Sequence, residues 1–138
     1  MDKQVLDEFR DDAHSVGALH GSARGNRNLD GRIRAMGRLT PLVGERLLDI
    51  GCGTGEYTIR LAPNFNEVEA IDIEPQRLEH FGTLKIDNVN VRAMSAQQLD
   101  YPDKSFDVVT MIEVLEHLTD PLVALREIRR VLLSLIHI

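Results

Sequence analysis

Apolar residues recur along the chain at two periods, and the change of period marks how it is organised. Near the start, Val5, Leu6 and Phe9 form a short helix-like cluster. Residues 14–27 are rich in Gly, Ser, Ala and Asn and read as loop. Leu29, Ile33, Met36 and Leu39 then fall at helical spacing, Pro41 stops the run, and Gly44 follows as a turn. From residue 46 the pattern alternates. Residues 46–50 make a short apolar strand that ends in glycines, and residues 56–62 a brief helix closed by Pro63 and Asn64. Residues 68–72 are a second strand. A helix follows from Pro75, a favoured first helical position, with Leu78 and Phe81 inward and Gly82 past its end. Residues 89–92 read as a third strand and residues 106–112, the most β-prone stretch, as a fourth. Asp120 is an N-cap followed by Pro121 at the first helical position. It opens a helix whose Leu122, Leu125, Ile128, Val131 and Leu132 face the core. Strands alternating with helices predict an α/β fold, a parallel sheet covered on both faces.

Composition narrows the classes. A chain of 138 residues makes one modest domain. With 43% hydrophobic and 28% charged residues it should bury a core, which excludes wholesale disorder. No stretch approaches the roughly 18 apolar residues of a membrane span, and the start lacks the apolar stretch of a signal peptide. The expected location is therefore cytoplasmic. Cys52 is the single cysteine, which rules out a disulfide framework and a multi-cysteine metal site. The formal charge of −6 is unevenly placed. Six arginines fall between Arg24 and Arg46, against Asp30 and Glu45, and the balance turns acidic from Leu47 to Asp120. These basic residues alternate with apolar ones over one segment, so they read as a solvated helix face and nucleic acid is not the expected partner.

The most informative segment runs from Leu47 to Glu56: Leu-Leu-Asp-Ile-Gly-Cys-Gly-Thr-Gly-Glu. A strand leads into three glycines at alternate positions and then into a helix. Glycine is needed where backbone turns tightly and a ligand approaches without a Cβ in the way. Asp72, 21 residues after Gly51, ends the second strand. In a doubly wound sheet that position lies beside the loop, where a carboxylate can accept hydrogen bonds from ribose hydroxyls. The dinucleotide fingerprint is G-x-G-x-x-G, with a pyrophosphate at the helix N-terminus. Here Glu56 stands where the last glycine should be, and its carboxylate would repel a pyrophosphate. A nucleoside-containing cofactor without phosphate fits better.

From about Gly44 to Leu132 the chain resembles the class I S-adenosylmethionine-dependent methyltransferases. Leu48 to Gly55 looks like that family's first motif, and Asp72 in Ala-Ile-Asp-Ile like its ribose-binding acid. Ser105-Phe106-Asp107-Val108-Val109 and the run Glu113 to Leu118 resemble its fourth-strand block, and Asp120 to Leu132 the helix that follows. The resemblance implies a Rossmann-like doubly wound sheet, here its first four strands in the order 3-2-1-4, and S-adenosylmethionine as cofactor. Carried over by position, the cofactor-binding residues are Asp49, Gly51, Cys52, Gly53, Gly55, Asp72, Ile73, Ser95, Ala96, Met111 and Glu113. The chain departs from the pattern at Ser95, where the family usually has an aspartate that reads the adenine amino group. A serine oxygen accepts without a full charge, while the Ala96 N–H can still serve adenine N1.

Glu113, Glu116 and His117 follow the fourth strand, at the sheet edge where ligands bind in such folds. On a helical turn these spacings share one face. The trio resembles the metal-binding Glu-x-x-Glu-His of ubiquinone-pathway O-methyltransferases and small-RNA 2′-O-methyltransferases. The same letters occur in relatives not known to need a metal, where Glu113 lies beside the cofactor. No metal is therefore assigned, and the three remain the candidates for a catalytic role. His14, His20 and His80 are isolated and read as exposed. Arg32 or Arg34 is a candidate for the cofactor's carboxylate. Cys52 lacks a base beside it and reads as a small packing residue.

After Leu132 the resemblance ends. The last six residues, Leu-Ser-Leu-Ile-His-Ile, look like the in-frame translation of a transposon adapter end, so residues 133–138 are expected to be a non-native tail. The division expected is an N-terminal helical and loop segment (1–43), the first part of the methyltransferase domain (44–132) and that tail. The function implied is methyl transfer to an unidentified acceptor, a small molecule favoured. The alternatives are a non-catalytic methyltransferase-like partner subunit and a nicotinamide-dependent oxidoreductase.

Overall fold

The computed structural model describes residues 23–133. Two compact units divide the chain after Leu39. In the first, helix α1 spans Ala23–Leu39. It starts within the segment read as loop: Ala23, Arg24 and Arg27 are good helix formers, and a lone Gly25 costs only about 1 kcal/mol. The helical period holds where side chains are described, with Leu29 buried and Ile33 and Met36 half-buried, whereas Leu39 at the helix end is exposed. The cluster at Val5, Leu6 and Phe9, together with His14 and His20, lies outside the described residues.

The second unit is a four-stranded parallel sheet in the order β3-β2-β1-β4. Its strands are β1 (Gly44–Ile50), β2 (Phe65–Asp72), β3 (Val89–Ala93) and β4 (Val108–Met111). Helix α2 (Glu56–Leu61) and a 3-10 turn (Ala62–Asn64) join β1 to β2, and α3 (Pro75–Thr83) joins β2 to β3. A second 3-10 turn (Leu115–His117) and α4 (Pro121–Val131) follow β4. Both faces are covered. One carries Leu48, Ile50, Ile71, Phe106, Ala124, Ile128 and Val131; the other carries Cys52, Ala70, Leu78 and Phe81.

Three details differ from expectation, each for a local reason. The fourth strand is shorter than residues 106–112. Asp107 instead turns its carboxylate onto the N–H groups of Glu45 and Arg46, at 2.9 and 2.7 Å, and Phe106 bridges to Leu132 in parallel. Gly82 lies inside α3 and does not end it; the Thr83 hydroxyl donates to the His80 carbonyl at 2.7 Å. Leu122 is 64% exposed, because the buried stripe of α4 runs through Ala124, Ile128 and Val131 and Leu122 sits two residues out of phase. Asp120 caps α4, accepting the Val123 N–H at 3.3 Å.

Candidate functional site

The carboxyl ends of β1, β2 and β4 lie level, with Ile50 in register with Ile71 and with Met111. Beyond Ile50 the chain turns on Gly51, Gly53 and Gly55, at φ of 73°, 56° and 89°. The N–H groups of Gly51 and Cys52 both donate to the Ile71 carbonyl, at 2.7 and 3.0 Å, which fastens the loop to the end of β2. A Cβ on Gly51 would collide with Val114 Cγ2, and one on Gly55 would meet the Phe81 ring at 2.5 Å. At Gly53 nothing lies within 4 Å, so there the glycine serves the left-handed backbone alone.

Asp72 ends β2 at the loop's flank. Its Oδ2 accepts the Gly53 N–H and its Oδ1 the Glu74 N–H, both at 2.9 Å. A carboxylate offers about four acceptor positions, so each fixed oxygen retains capacity for a hydroxyl donor. Asp49 sits otherwise. Only 2% exposed, it accepts the hydroxyls of Thr58 and Thr110 at 2.5 and 2.7 Å. Burial pushes its carboxyl above the ordinary aspartate value against the lowering effect of both hydroxyls.

These elements frame a cleft of about 420 Å³, within the range of small-molecule sites. Among the residues expected at a cofactor, Gly51, Asp72, Ile73, Ser95, Ala96 and Glu113 line it. Asp49, Cys52, Gly53, Gly55 and Met111 do not. Asp49 points into the interior, Cys52 packs with Ala70, Leu78 and Phe81, and Gly55 faces the Phe81 ring. Burial also pushes the Cys52 thiol up, away from nucleophilic use. Glu74, Arg77, Gln97 and Thr119 line the cleft without having been singled out in the sequence. Glu74 had a signal, since Pro75 at a helix start places the preceding residue at the helix N-cap, two residues past the end of β2. Gln97 and Thr119 had none, because loop course sets their position. The Thr119 hydroxyl donates to Gln97 Oε1 at 3.1 Å, linking the loops after β4 and β3.

The methyltransferase domain family matches residues 48–134. The chain belongs to it. Over 105 residues it is 40% identical to the 27-O-demethylrifamycin SV methyltransferase of Amycolatopsis mediterranei, a match covering 72% of this chain and 39% of that protein. It is 32% identical over 130 residues to a ubiquinone biosynthesis O-methyltransferase of Albidiferax ferrireducens, covering 87% of this chain and 50% of that one. The crystal structure of a SAM-dependent methyltransferase from Aquifex aeolicus aligns with a TM-score of 0.64 at 25% identity, over 72% of this chain and 56% of that one. The chain thus spans about two fifths to one half of the curated relatives it matches.

In this methyltransferase domain the segment after β4 is bent at Glu113 and makes one short 3-10 turn, not a regular α-helix. Glu113 takes a left-handed φ of 56° and Leu115–His117 is a 3-10 turn. Glu113 and His117 line the cleft, whereas Glu116 does not. Among the described residues no group of three or more His, Cys, Asp or Glu side chains could hold a metal ion. The one-face arrangement that a regular helix would give this trio is therefore absent. Arg32 and Arg34 lie on α1, in the other unit, and His80 is exposed on α3. No helix among the described residues is long and apolar enough to cross a membrane.

Proposed function

We propose that the protein carrying this chain transfers a methyl group from S-adenosylmethionine to a small-molecule acceptor. The observation that carries this reading is the charge of the cleft. Asp72, Glu74 and Glu113 line it against Arg77 and His117, and the Arg77 Nε already pairs with Glu74 Oε2 at 3.0 Å. Such a lining suits a cationic nucleoside and opposes a pyrophosphate. The six-residue α2 carries Glu56 in its first turn, which also speaks against phosphate and the nicotinamide alternative.

Bound S-adenosylmethionine supplies an electrophilic methyl on a sulfonium centre. Asp72 accepts the ribose hydroxyls through its two oriented oxygens. Gly51 lets the cofactor's chain pass close to the backbone at the end of β1. Ile73, 70% exposed, would offer apolar cover to the base, and the Ala96 N–H would be available to its N1. Glu113 flanks the same cleft. Asp49 acts from behind, joining β1, α2 and β4 through its two threonines. Catalysis rests on holding acceptor and methyl in line, which needs no strong side-chain base. The substrates named for the two curated relatives support a small-molecule acceptor. We assign residues 44–132 to the catalytic domain and 1–43 to a separate preceding segment.

Calorimetry of the full-length protein with S-adenosylhomocysteine and with NAD tests the reading. Micromolar binding of the first and none of the second is expected; the reverse pattern would overturn it. Cofactor binding with no transfer to any acceptor would favour a non-catalytic partner subunit.

A further inference from the structure

Going beyond the methyltransferase reading, we propose that the arginine face of α1 docks on an anionic phospholipid surface, lying along it without crossing it. Helix α1 carries five arginines against one aspartate, Asp30, in a chain whose formal charge is −6. At 3.6 residues per turn, positions 24, 27, 34 and 38, all arginine, fall within an arc of about 80°. Asp30 lies outside that arc. Leu29, Ile33 and Met36 fall on the opposite side, where Leu29 is buried and the other two are half-buried. The apolar side of the helix is thus used in packing, whereas Arg34 and Arg38 are exposed. Among the described residues neither of these two guanidinium groups has a hydrogen bond or an ion pair.

Like charges three or four residues apart repel along a helix, and Arg34 and Arg38, like positions 24 and 27, stand at such spacings. A face of this kind is stabilised by anions brought from outside. Two features favour a lipid surface over a polynucleotide. Leu39, at the end of the helix beside Arg38, is 74% exposed; a headgroup layer takes in such a side chain, and a phosphodiester backbone does not. Because α1 itself is positive, the rest of the chain is more acidic than the total charge shows. A strand wrapping the molecule would meet that acid. A planar surface touches one face, and charges more than about 8 Å away are largely screened at physiological salt. Each arginine held against an anionic leaflet is worth about fivefold in affinity.

The test is co-sedimentation of the full-length protein with vesicles of phosphatidylcholine, alone or with about a third of phosphatidylglycerol added. Binding to the mixed vesicles, none to phosphatidylcholine alone, and release by raised salt are expected. The double variant Arg34→Gln with Arg38→Gln keeps good helix formers. It should weaken vesicle binding at least tenfold without lowering the urea unfolding midpoint, since it removes a repulsion. Leu39→Gln should weaken binding two- to fivefold. Arg126→Gln with Arg129→Gln removes two exposed arginines from α4 instead; it controls for total charge and should change binding less than twofold. Failure to bind the mixed vesicles, or an equal loss in the α4 pair, would overturn the proposal. Tighter binding to polyuridylate than to the mixed vesicles would overturn it as well, by making the face a nucleic-acid surface. None of these readouts involves methyl transfer, so they stand or fall apart from the methyltransferase reading.

Discussion

Replacing each loop glycine by alanine should separate three jobs that look alike in the sequence. All three residues have positive φ, and a left-handed conformation costs an L-residue about 1–2 kcal/mol. At Gly53 that is the whole penalty, because a Cβ there meets nothing within 4 Å. At Gly55 the Cβ also lands 2.5–2.7 Å from three atoms of the Phe81 ring. Phe81 is 1% exposed and packed in the core, so it cannot swing away, and overpacking adds about 1–3 kcal/mol. Gly55→Ala should therefore lose about 2–5 kcal/mol and Gly53→Ala about 1–2 kcal/mol. Against a typical total of about 5–15 kcal/mol, the first is a large fraction. Gly51→Ala is a third case. Its Cβ strikes the Val114 Cγ2 methyl, and Val114 lines the cleft, so stability and cofactor affinity should fall together. Urea unfolding of the full-length variants reads the stabilities, and calorimetry with S-adenosylhomocysteine reads the affinities. Equal losses at Gly53 and Gly55 would refute the reasoning, since the two differ in what their Cβ would meet.

Asp72→Ala should weaken S-adenosylhomocysteine at least tenfold, because contacts to a charged acceptor are worth about 1.5–3 kcal/mol each; Ser95→Ala should cost less, and comparable losses would show that the loop after β3 is misassigned. Arg130 and Leu99 N–H hold the Glu127 carboxylate with contacts of 2.8–2.9 Å, and the Arg130 hydrogen bond chiefly draws its pKa down. A depressed carboxyl stabilises the fold above its unfolded value of about 4.3 and loses that contribution as pH falls through the folded value. The stability gap between the wild type and Glu127→Gln, followed by urea midpoints from pH 7 to pH 3, should thus close on the acid side; a constant gap would refute the linkage. Exhaustive chelation of the full-length protein should change neither S-adenosylhomocysteine affinity nor transfer, and loss of transfer alone would mean that Glu113, Glu116 and His117 converge on a cation when the acceptor is bound.

How legible each part was follows from how local its cause is. The strands themselves and the β1 loop could be read because short apolar runs and clustered glycines are local signals, whereas the strand order was legible only through the resemblance to the methyltransferases. Strand β4 was over-read at its start because Asp107 prefers the backbone of β1, some 61–62 residues away in sequence. Leu122 was misplaced because an apolar residue near a helix start says little about phase until Ala124, a small residue, is known to be buried. The site divides the same way. Asp72 was found from its place at a strand end. Asp49 was grouped with the cofactor residues by motif, yet its partners Thr58 and Thr110 lie on two other elements, and only packing brings them together. Gln97 and Thr119 meet across two loops, a contact with no period and no motif behind it.

The separation between Asp49 and Asp72 explains how one strand-loop-helix unit can be both rigid and receptive. Two carboxylates flank the glycine loop, and the fold treats them oppositely. Asp49, with both oxygens taken by hydroxyls, is an internal knot joining β1, α2 and β4. Asp72 likewise takes one N–H on each oxygen, from Gly53 and Glu74, but it lines the cleft, where its remaining acceptor positions can meet a ligand. The Ile71 carbonyl accepts the N–H groups of Gly51 and Cys52, and the Asp72 carbonyl accepts that of Met94, so the loops after β1 and β3 both hang from the end of β2. The positions facing the cleft are thereby fixed by bonds that no ligand needs to make. A site so arranged loses little conformational freedom when a ligand enters, and on the proposed reading that leaves binding energy for orienting the methyl group.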